Sequence, residues 1–136
     1  MSLPDLPPPS GSDDTPRGLV SELGALVGDE RAAGWCADLL AGGDPHDFVP
    51  MLPYLGKNCA AAAFDPAWHD YWHRTWGGRG LLYVWTDSAA PVVVAGLGDE
   101  HWRPAEMLSL LVMKPSLRAW LRRKSVPRRT FLPYSP

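Results

Sequence analysis

The arrangement in this sequence that most resembles a metal site is a pair of histidines four residues apart. His69 and His73 flank Asp70, and on one face of a helix this spacing lets two imidazoles share a zinc ion. The motif lacks the glutamate of the HExxH pattern, and no third ligand lies at a recognisable spacing. We therefore expect both histidines to be polar helix positions, and we predict neither a metal nor any other cofactor.

Residues suited to catalysis are not assembled in any recognisable set. Gly77-Gly78-Arg79-Gly80 lacks the Lys-Ser/Thr pair of a phosphate-binding P-loop, and no serine has the glycine framing of a GxSxG nucleophile. The aspartates stand at helix starts and turns, where capping explains them without catalysis. The sequence therefore predicts a protein that is not an enzyme.

Tryptophan is frequent, with seven copies among 136 residues. Trp68, Trp72 and Trp76 fall near one stripe of a predicted helix. Aromatic residues at this spacing usually belong to the core, although the same residues could stack on bases or enclose a ligand. We expect core positions, and the binding role stays open.

Charge is divided unevenly along the chain. Residues 1–113 carry six basic and fifteen acidic side chains, a balance of −9, whereas residues 114–136 carry seven basic side chains and no acid. The acidic body favours a protein partner that presents a basic segment. The tail could contact a partner, or bind nucleic acid weakly without sequence preference, through Lys114, Arg118, Arg122, Arg123, Lys124, Arg128 and Arg129.

Every predicted element is a helix. Thr15-Pro16, Asp44-Pro45 and Asp65-Pro66 mark helix starts, because an N-cap side chain followed by proline at the first helical position favours initiation. The Val92–Val94 run has strand propensity, but helix caps bound it and no partner strand is present. Apolar spacing predicts helices over 16–27, 30–40, 45–55, 67–85, 89–97 and 102–113.

These elements predict an all-α fold, a short stack of antiparallel helical hairpins. We expect a disordered proline-rich leader over residues 1–15, a helical domain over 16–113 and a basic tail over 114–136 that is disordered beyond Ser125. The leader lacks signal-peptide features and no run of 18 apolar residues occurs, which favours the cytoplasm. Cys36 and Cys59 are expected to be small buried hydrophobes rather than a disulfide.

The stretch from Ala89 to Leu111, AAPVVVAGLGDEHWRPAEMLSLL, resembles the junction between two HEAT repeats. Such a junction has an apolar second helix, an aspartate at a tight turn, and a first helix that carries arginine. Leu97 and Asp99 stand at the turn, and Trp102 and Arg103 begin the next helix.

Upstream, the segment YWHRTWGGRGLLYVW over residues 71–85 is similar to the tryptophan-rich helices of bacterial HEAT-repeat proteins. The resemblance covers residues 66–113. It implies a HEAT-like α-solenoid in which each hairpin packs only on its neighbours. It also implies structural roles at the repeat turns for Asp87, Asp99, Trp102 and Arg103.

The chain departs from the repeat pattern at Arg103-Pro104-Ala105, where valine and arginine would follow, and again after Met113. The basic tail is either a genuine extension or out-of-frame coding at the end of a truncated repeat protein. In the second case we expect exposed Leu108, Leu111 and Met113 to drive self-association.

The sequence favours a non-catalytic protein-interaction or scaffold module. The alternative is a nucleic-acid-binding protein related to the HEAT-like DNA glycosylases, because Trp102-Arg103 is similar to their repeat helices. The acidic body opposes that alternative, since it repels phosphate.

Overall fold

The computed structural model describes residues 3–69 and 71–131, with side chains given except at Trp102 and over 125–131. These residues form α-helices, two 3₁₀ helices and connecting turns, and they contain no strand, which confirms the predicted all-α class. The 3₁₀ helices are Pro45–Met51 and Asp87–Ala89. The α-helices are α1 (Pro16–Val27), α2 (Asp29–Leu40), α3 (Leu52–Leu55), α4 (Cys59–Ala62), α5 (Tyr71–Gly80), α6 (Ala90–Gly96), α7 (Trp102–Leu111) and α8 (Pro115–Phe131).

Helix starts follow local capping chemistry. The Thr15 hydroxyl accepts a hydrogen bond from the backbone N–H of Gly18 at 3.1 Å, and Pro16 opens α1. Asp44 likewise accepts from the N–H of His46 at 3.0 Å. That start leads into 3₁₀ geometry rather than the predicted α-helix, since the prolines that follow supply no backbone N–H.

Helix α5 crosses α2 and α7 at short distance because it carries glycines where the helices meet. A Cβ at Gly77 would lie 2.6 Å from the carbonyl oxygen of Cys36, and one at Gly78 would lie 2.9 Å from a methyl carbon of Leu108. At Gly80 the nearest atom is the Cys36 sulfur, at 2.5 Å. The glycines therefore permit the close approach of α5 to α2 and α7.

The apolar core lies between α1, α2, α3, α5 and α7. Each of these helices contributes buried apolar side chains to the core, and so does the first turn of α8. The largest fully buried side chains are Tyr54, Leu23, Leu39, Met51, Leu52, Leu55, Leu81, Leu108, Leu111 and Leu117.

The leader differs from its prediction as a disordered segment. Residues 3–15 contain no helix, and Leu3 and Leu6 pack against the core. The buried Tyr54 hydroxyl donates to the carbonyl oxygen of Pro7 at 2.5 Å. The proline-rich segment forms no helix. Its apolar side chains nevertheless pack on the folded domain, and one of its carbonyl oxygens accepts a hydrogen bond from a buried donor.

The segment predicted as one helix over residues 67–85 is helical only within α5. The Asp65 carboxylate accepts from the N–H of Ala67 at 2.9 Å, which closes a turn rather than a helix. Trp68 therefore precedes α5, and the chain leaves helical geometry after Gly80. Helix α6, in contrast, confirms the predicted helix at Val92–Val94.

The C-terminal segment also differs from its prediction. No break in packing follows Met113, because the Lys114 ammonium donates to the carbonyl oxygen of Leu82 at 3.0 Å and Leu117 is fully buried. The backbone of α8 is helical through Phe131, past Ser125.

Candidate functional site

A cavity of about 350 Å³ opens between the start of α1, the turn before α4, and α5. Its apolar wall consists mainly of indole rings from α5 and the turn that precedes it. Its polar groups come from three separate segments of the chain. The residues that matter for the argument below are Asp14, Lys57, Cys59, Trp68, Trp72, Trp76 and Arg79.

The three tryptophans line the pocket from core to surface. Trp76 is 5% exposed, Trp72 is partly buried, and Trp68 is 45% exposed. The Trp68 and Trp72 rings meet edge to face with centroids 5.4 Å apart. The prediction of core positions therefore holds for Trp76, whereas Trp68 presents much of its ring to solvent at the pocket mouth.

Arg79 forms a cationic wall inside this apolar pocket. Its Nη2 donates to the carbonyl oxygen of Leu55 at 2.8 Å and lies 3.8 Å from the Cys59 sulfur. Among the described residues, no carboxylate pairs with this half-buried guanidinium, and no acceptor bonds to its Nε or Nη1. Since a guanidinium has five N–H donors, Arg79 keeps hydrogen-bonding capacity for a further acceptor.

An exposed ion pair stands at the mouth. The Lys57 ammonium lies 3.4 Å from the Asp14 carboxylate, and both side chains are more than half exposed. With Arg79, these groups give the pocket a local charge of +1. Exposed pairs of this kind contribute only about 0–1 kcal/mol, so Lys57 can exchange its partner at little cost.

Cys59 lines the pocket with a buried thiol. Burial raises the pKa of its thiol to about 11, although the adjacent Arg79 acts in the opposite direction. Burial alone raises the pKa of Cys36 to about 12. Both cysteines are free and buried, as the sequence predicted, and both stay protonated at neutral pH.

The two histidines are held in different environments. His69 precedes α5 and stacks on Tyr71 with ring centroids 5.2 Å apart. His73 donates from Nε2 to the carbonyl oxygen of Ala63 at 2.9 Å. Asp70, named with them, lies outside the described residues, which bring together no group of three or more His, Cys, Asp or Glu side chains.

Asp99 stabilises the turn between α6 and α7. Its carboxylate accepts from the backbone N–H of His101 at 2.8 Å and from Nε of Arg74 on α5 at 2.8 Å. The hydrogen bond from Arg74 is the main reason that the pKa of Asp99 lies below its usual range. Of the other predicted turn residues, Trp102 begins α7 with a side chain outside the described set, and the Arg103 guanidinium lies 5.7 Å from the Trp72 ring centroid.

Asp87 links its turn to α8. It accepts from the Trp85 indole N–H at 3.0 Å and pairs with Arg123 at 2.6 Å. Lys124 lies over the Trp120 ring at 5.4 Å. Part of the predicted basic contact surface is thus engaged within the chain.

Other tail cations remain on the surface of α8. Arg118 and Arg122 are exposed, and Arg122 also has a contact within the chain. Arg128 and Arg129 belong to the helical backbone, but their side chains lie outside the described ones.

Two of the three side chains that were expected to drive self-association are buried. Leu108 and Leu111 are fully buried, whereas Met113 is 67% exposed. Helix α8 covers this end of the domain by inserting Leu117 into the core, so only one of the three predicted side chains is available.

The pocket polar residues were missed at the level of sequence, although one signal was present. Trp72, Trp76 and Arg79 stand at positions i, i+4 and i+7, which share one helix face. The arginine was considered only as part of a glycine-rich run. Asp14 and Lys57 carry no such signal, since only the fold brings them to α5.

Comparison with known proteins gives no relative: no family model, curated protein or solved structure matches the chain. None of the helices within the described ranges combines the length and apolarity needed to cross a bilayer.

Proposed function

We propose that this chain is a non-catalytic protein-binding module that docks a segment of another polypeptide in the tryptophan-lined pocket. The observation that carries the proposal is the exposure of Trp68 above the more deeply buried rings of Trp72 and Trp76. Tryptophan and arginine around a small apolar pocket are the residue types that dominate binding energy at protein interfaces.

The charge of the partner is set by the pocket rather than by the whole body. The body balance of −9 favoured a basic segment. At physiological ionic strength, however, exposed charges are screened beyond about 8 Å. A docked segment meets the charged residues that line the pocket, Asp14, Lys57 and Arg79, whose sum is positive. We accordingly replace the basic segment by an apolar one that tolerates or carries negative charge.

The HEAT-like architecture is likewise proposed. Its support is the pair α6 and α7, joined by a short turn that Asp99 stabilises and Arg74 anchors to α5. We also propose the cytoplasm as the compartment, because Cys36 and Cys59 are both free thiols.

A second candidate function is nucleic-acid binding through α8. The favouring observation is that the basic residues form a continuous helix from Pro115, with Arg118 and Arg122 exposed one turn apart. Binding of this kind would be electrostatic and independent of sequence.

Peptide selection tests the main proposal. Random peptides displayed on phage would be selected against the full chain and then measured against Trp68→Ala. Loss of an exposed interface anchor costs about 2 kcal/mol, or roughly thirtyfold in affinity. The matched control is Leu110→Ala, which also truncates a large exposed apolar side chain but leaves the pocket unchanged. Selected peptides that bind Trp68→Ala as tightly as the wild type, or a selection that yields none, would contradict the proposal.

A further inference from the structure

We infer that the segment bound in the pocket is acidic: a large apolar side chain contacts Trp68 and Trp72, and a neighbouring Asp or Glu carboxylate pairs with Arg79. This inference rests on the proposed function and specifies the chemistry of its partner.

The Arg79 guanidinium is held in place by the chain and keeps N–H groups for a ligand. Both hydrogen bonds that it makes to described residues come from Nη2, to the Leu55 carbonyl oxygen and the Cys59 sulfur. Those contacts hold the planar group in place. Nε and Nη1 keep N–H groups on two different edges of the guanidinium, and each can donate a charge-assisted hydrogen bond to a carboxylate oxygen.

The surroundings strengthen this interaction. Arg79 lies among indole rings and the buried Cys59, where screening by water is weaker than at an open surface. A charge-assisted hydrogen bond formed there is about twice as strong as a neutral one. The same position leaves a cation without an anionic partner from the described residues, so an incoming carboxylate supplies the missing compensation.

A cationic ligand fits the pocket less well, although aromatic rings often enclose cations. Arg79 would repel it from within the wall. The Arg103 guanidinium already lies within 5.7 Å of the Trp72 ring centroid, so a second cation near that ring meets a like charge. Asp14, the carboxylate that lines the described part of the pocket, is already paired with Lys57.

Lys57 adds a second contact for an acidic segment. Its pairing with Asp14 at 3.4 Å is exposed and weak, so the ammonium can turn toward a carboxylate bound at Arg79. The cavity of about 350 Å³ lies at the lower end of the volumes that enclose small ligands. It therefore accommodates one large side chain and its neighbour rather than a folded element.

Three short peptides test the inference directly on the full chain. All are N-acetylated and C-amidated, with the sequences Gly-Ser-Phe-Glu-Gly, Gly-Ser-Phe-Gln-Gly and Gly-Ser-Phe-Lys-Gly. Binding is followed by NMR through the tryptophan indole N–H resonances, with Trp68→Phe used to assign the signal of Trp68. We expect the Glu peptide to bind about tenfold more tightly than the Gln peptide, and the Lys peptide to bind most weakly. The preference for Glu should shrink as salt is raised.

Variants of the protein localise the effect. Arg79→Gln should abolish the preference for Glu over Gln, and Arg79→Lys should retain part of it. The matched control is Arg31→Gln, which removes a guanidinium placed over a different indole ring, that of Trp35. If Arg79→Gln fails to fold, Lys57→Gln provides a second reading, since it should lower the preference without touching the Leu55 contact.

The possible outcomes separate the two proposals. Equal binding of the three peptides, with a shift of the Trp68 indole signal, would overturn the acidic partner and leave the protein-binding role standing. Tighter binding of the Lys peptide would also overturn it. Failure of all three to shift the Trp68 signal at millimolar concentration would overturn the acidic segment as the occupant, whereas the phage selection decides the general role independently.

Discussion

Gly77 lies where the backbones of α5 and α2 come closest, and its missing side chain determines how closely they pack. A Cβ there would lie 2.6 Å from the Cys36 carbonyl oxygen and 2.8 Å from the Leu40 amide nitrogen, both backbone atoms that cannot rotate away. Only glycine at this position leaves room for the backbones of α5 and α2 to pack at this distance.

The first prediction follows from that contact. Gly77→Ala should lower the free energy of unfolding by about 1–3 kcal/mol, because overpacking outweighs the gain in helix propensity. Gly34→Ala is the control, since Gly34 lies inside α2 with nothing within 4 Å of an added Cβ. It should raise stability by up to about 1 kcal/mol. Urea unfolding of both variants checks the pair, and shifts of the same sign would refute the packing argument.

The pairing of Asp99 with Arg74 makes part of the stability dependent on pH. The hydrogen bond from Arg74 lowers the pKa of Asp99 below its ordinary value of 3.8. A carboxylate whose pKa is lowered on folding contributes stability that is fully present above its unfolded pKa. That contribution is lost as the pH falls through the folded pKa.

The second prediction concerns Asp99→Asn, whose amide oxygen can still accept the N–H of His101. At pH 7 this variant should be less stable than the wild type by about 1 kcal/mol. The difference should shrink below pH 4, where the wild type also loses its charge. Thermal unfolding at several pH values measures it, and Arg74→Gln with the double variant isolates the coupling. A difference that stays constant down to pH 2 would show that the charge plays no part.

At the scale of elements, α8 joins the folded body rather than trailing from it. Leu117 is buried, and Arg123 pairs with Asp87 at 2.6 Å. Deletion of the whole segment would expose the core, so neutral substitutions are the better probe of its charge.

The third prediction is made for this helix. Replacing Arg118 and Arg122 by Gln should weaken any binding to a random single-stranded oligonucleotide and should reduce its salt slope by about one per lost phosphate contact. The fold should survive, because neither side chain belongs to the core. Arg17→Gln is the control: it removes an exposed cation from α1. Unchanged binding by the α8 variant would place any nucleic-acid contact elsewhere.

The limits of α1 and α2 were predictable, whereas those of α5 were not. Each cap at Thr15 and Asp44 is a hydrogen bond to a residue at most three positions away, so the local sequence is enough to predict it. The end of α5 at Gly80 depends instead on how α2 and α7 pack around it. Trp68 lies before the helix because the Asp65 carboxylate accepts a hydrogen bond within a local turn rather than capping a longer helix.

At the scale of the whole molecule, the all-α class was predictable from periodicity and caps, but the limits of the domain were not. Proline and polar residues led us to expect separate ends at residue 15 and residue 113. The leader docks because Leu3 and Leu6 meet an apolar surface that exists only after folding. Composition describes what a segment can do alone, and it contains no information on a surface built from distant residues.

The candidate site shows the same limit. The face shared by Trp72, Trp76 and Arg79 could be read from spacing along one helix. Asp14 and Lys57 enter the pocket from segments far away in the chain, so their positions follow from tertiary packing. The interpretation of the tryptophans as core was therefore incomplete rather than misplaced, since Trp76 is buried and Trp68 is not.

Because Asp14 lines the pocket, binding in the pocket is coupled to how firmly the N-terminal segment is held. Two contacts of the segment are the hydrogen bond from the Tyr54 hydroxyl to the Pro7 carbonyl oxygen and the ion pair of Lys57 with Asp14. A bound carboxylate that attracts Lys57 breaks this ion pair. By thermodynamic reciprocity, whatever loosens the segment frees Lys57 for the ligand and so raises its affinity. The Asp14 carboxylate and the carboxylate of the bound segment therefore compete for the Lys57 ammonium group.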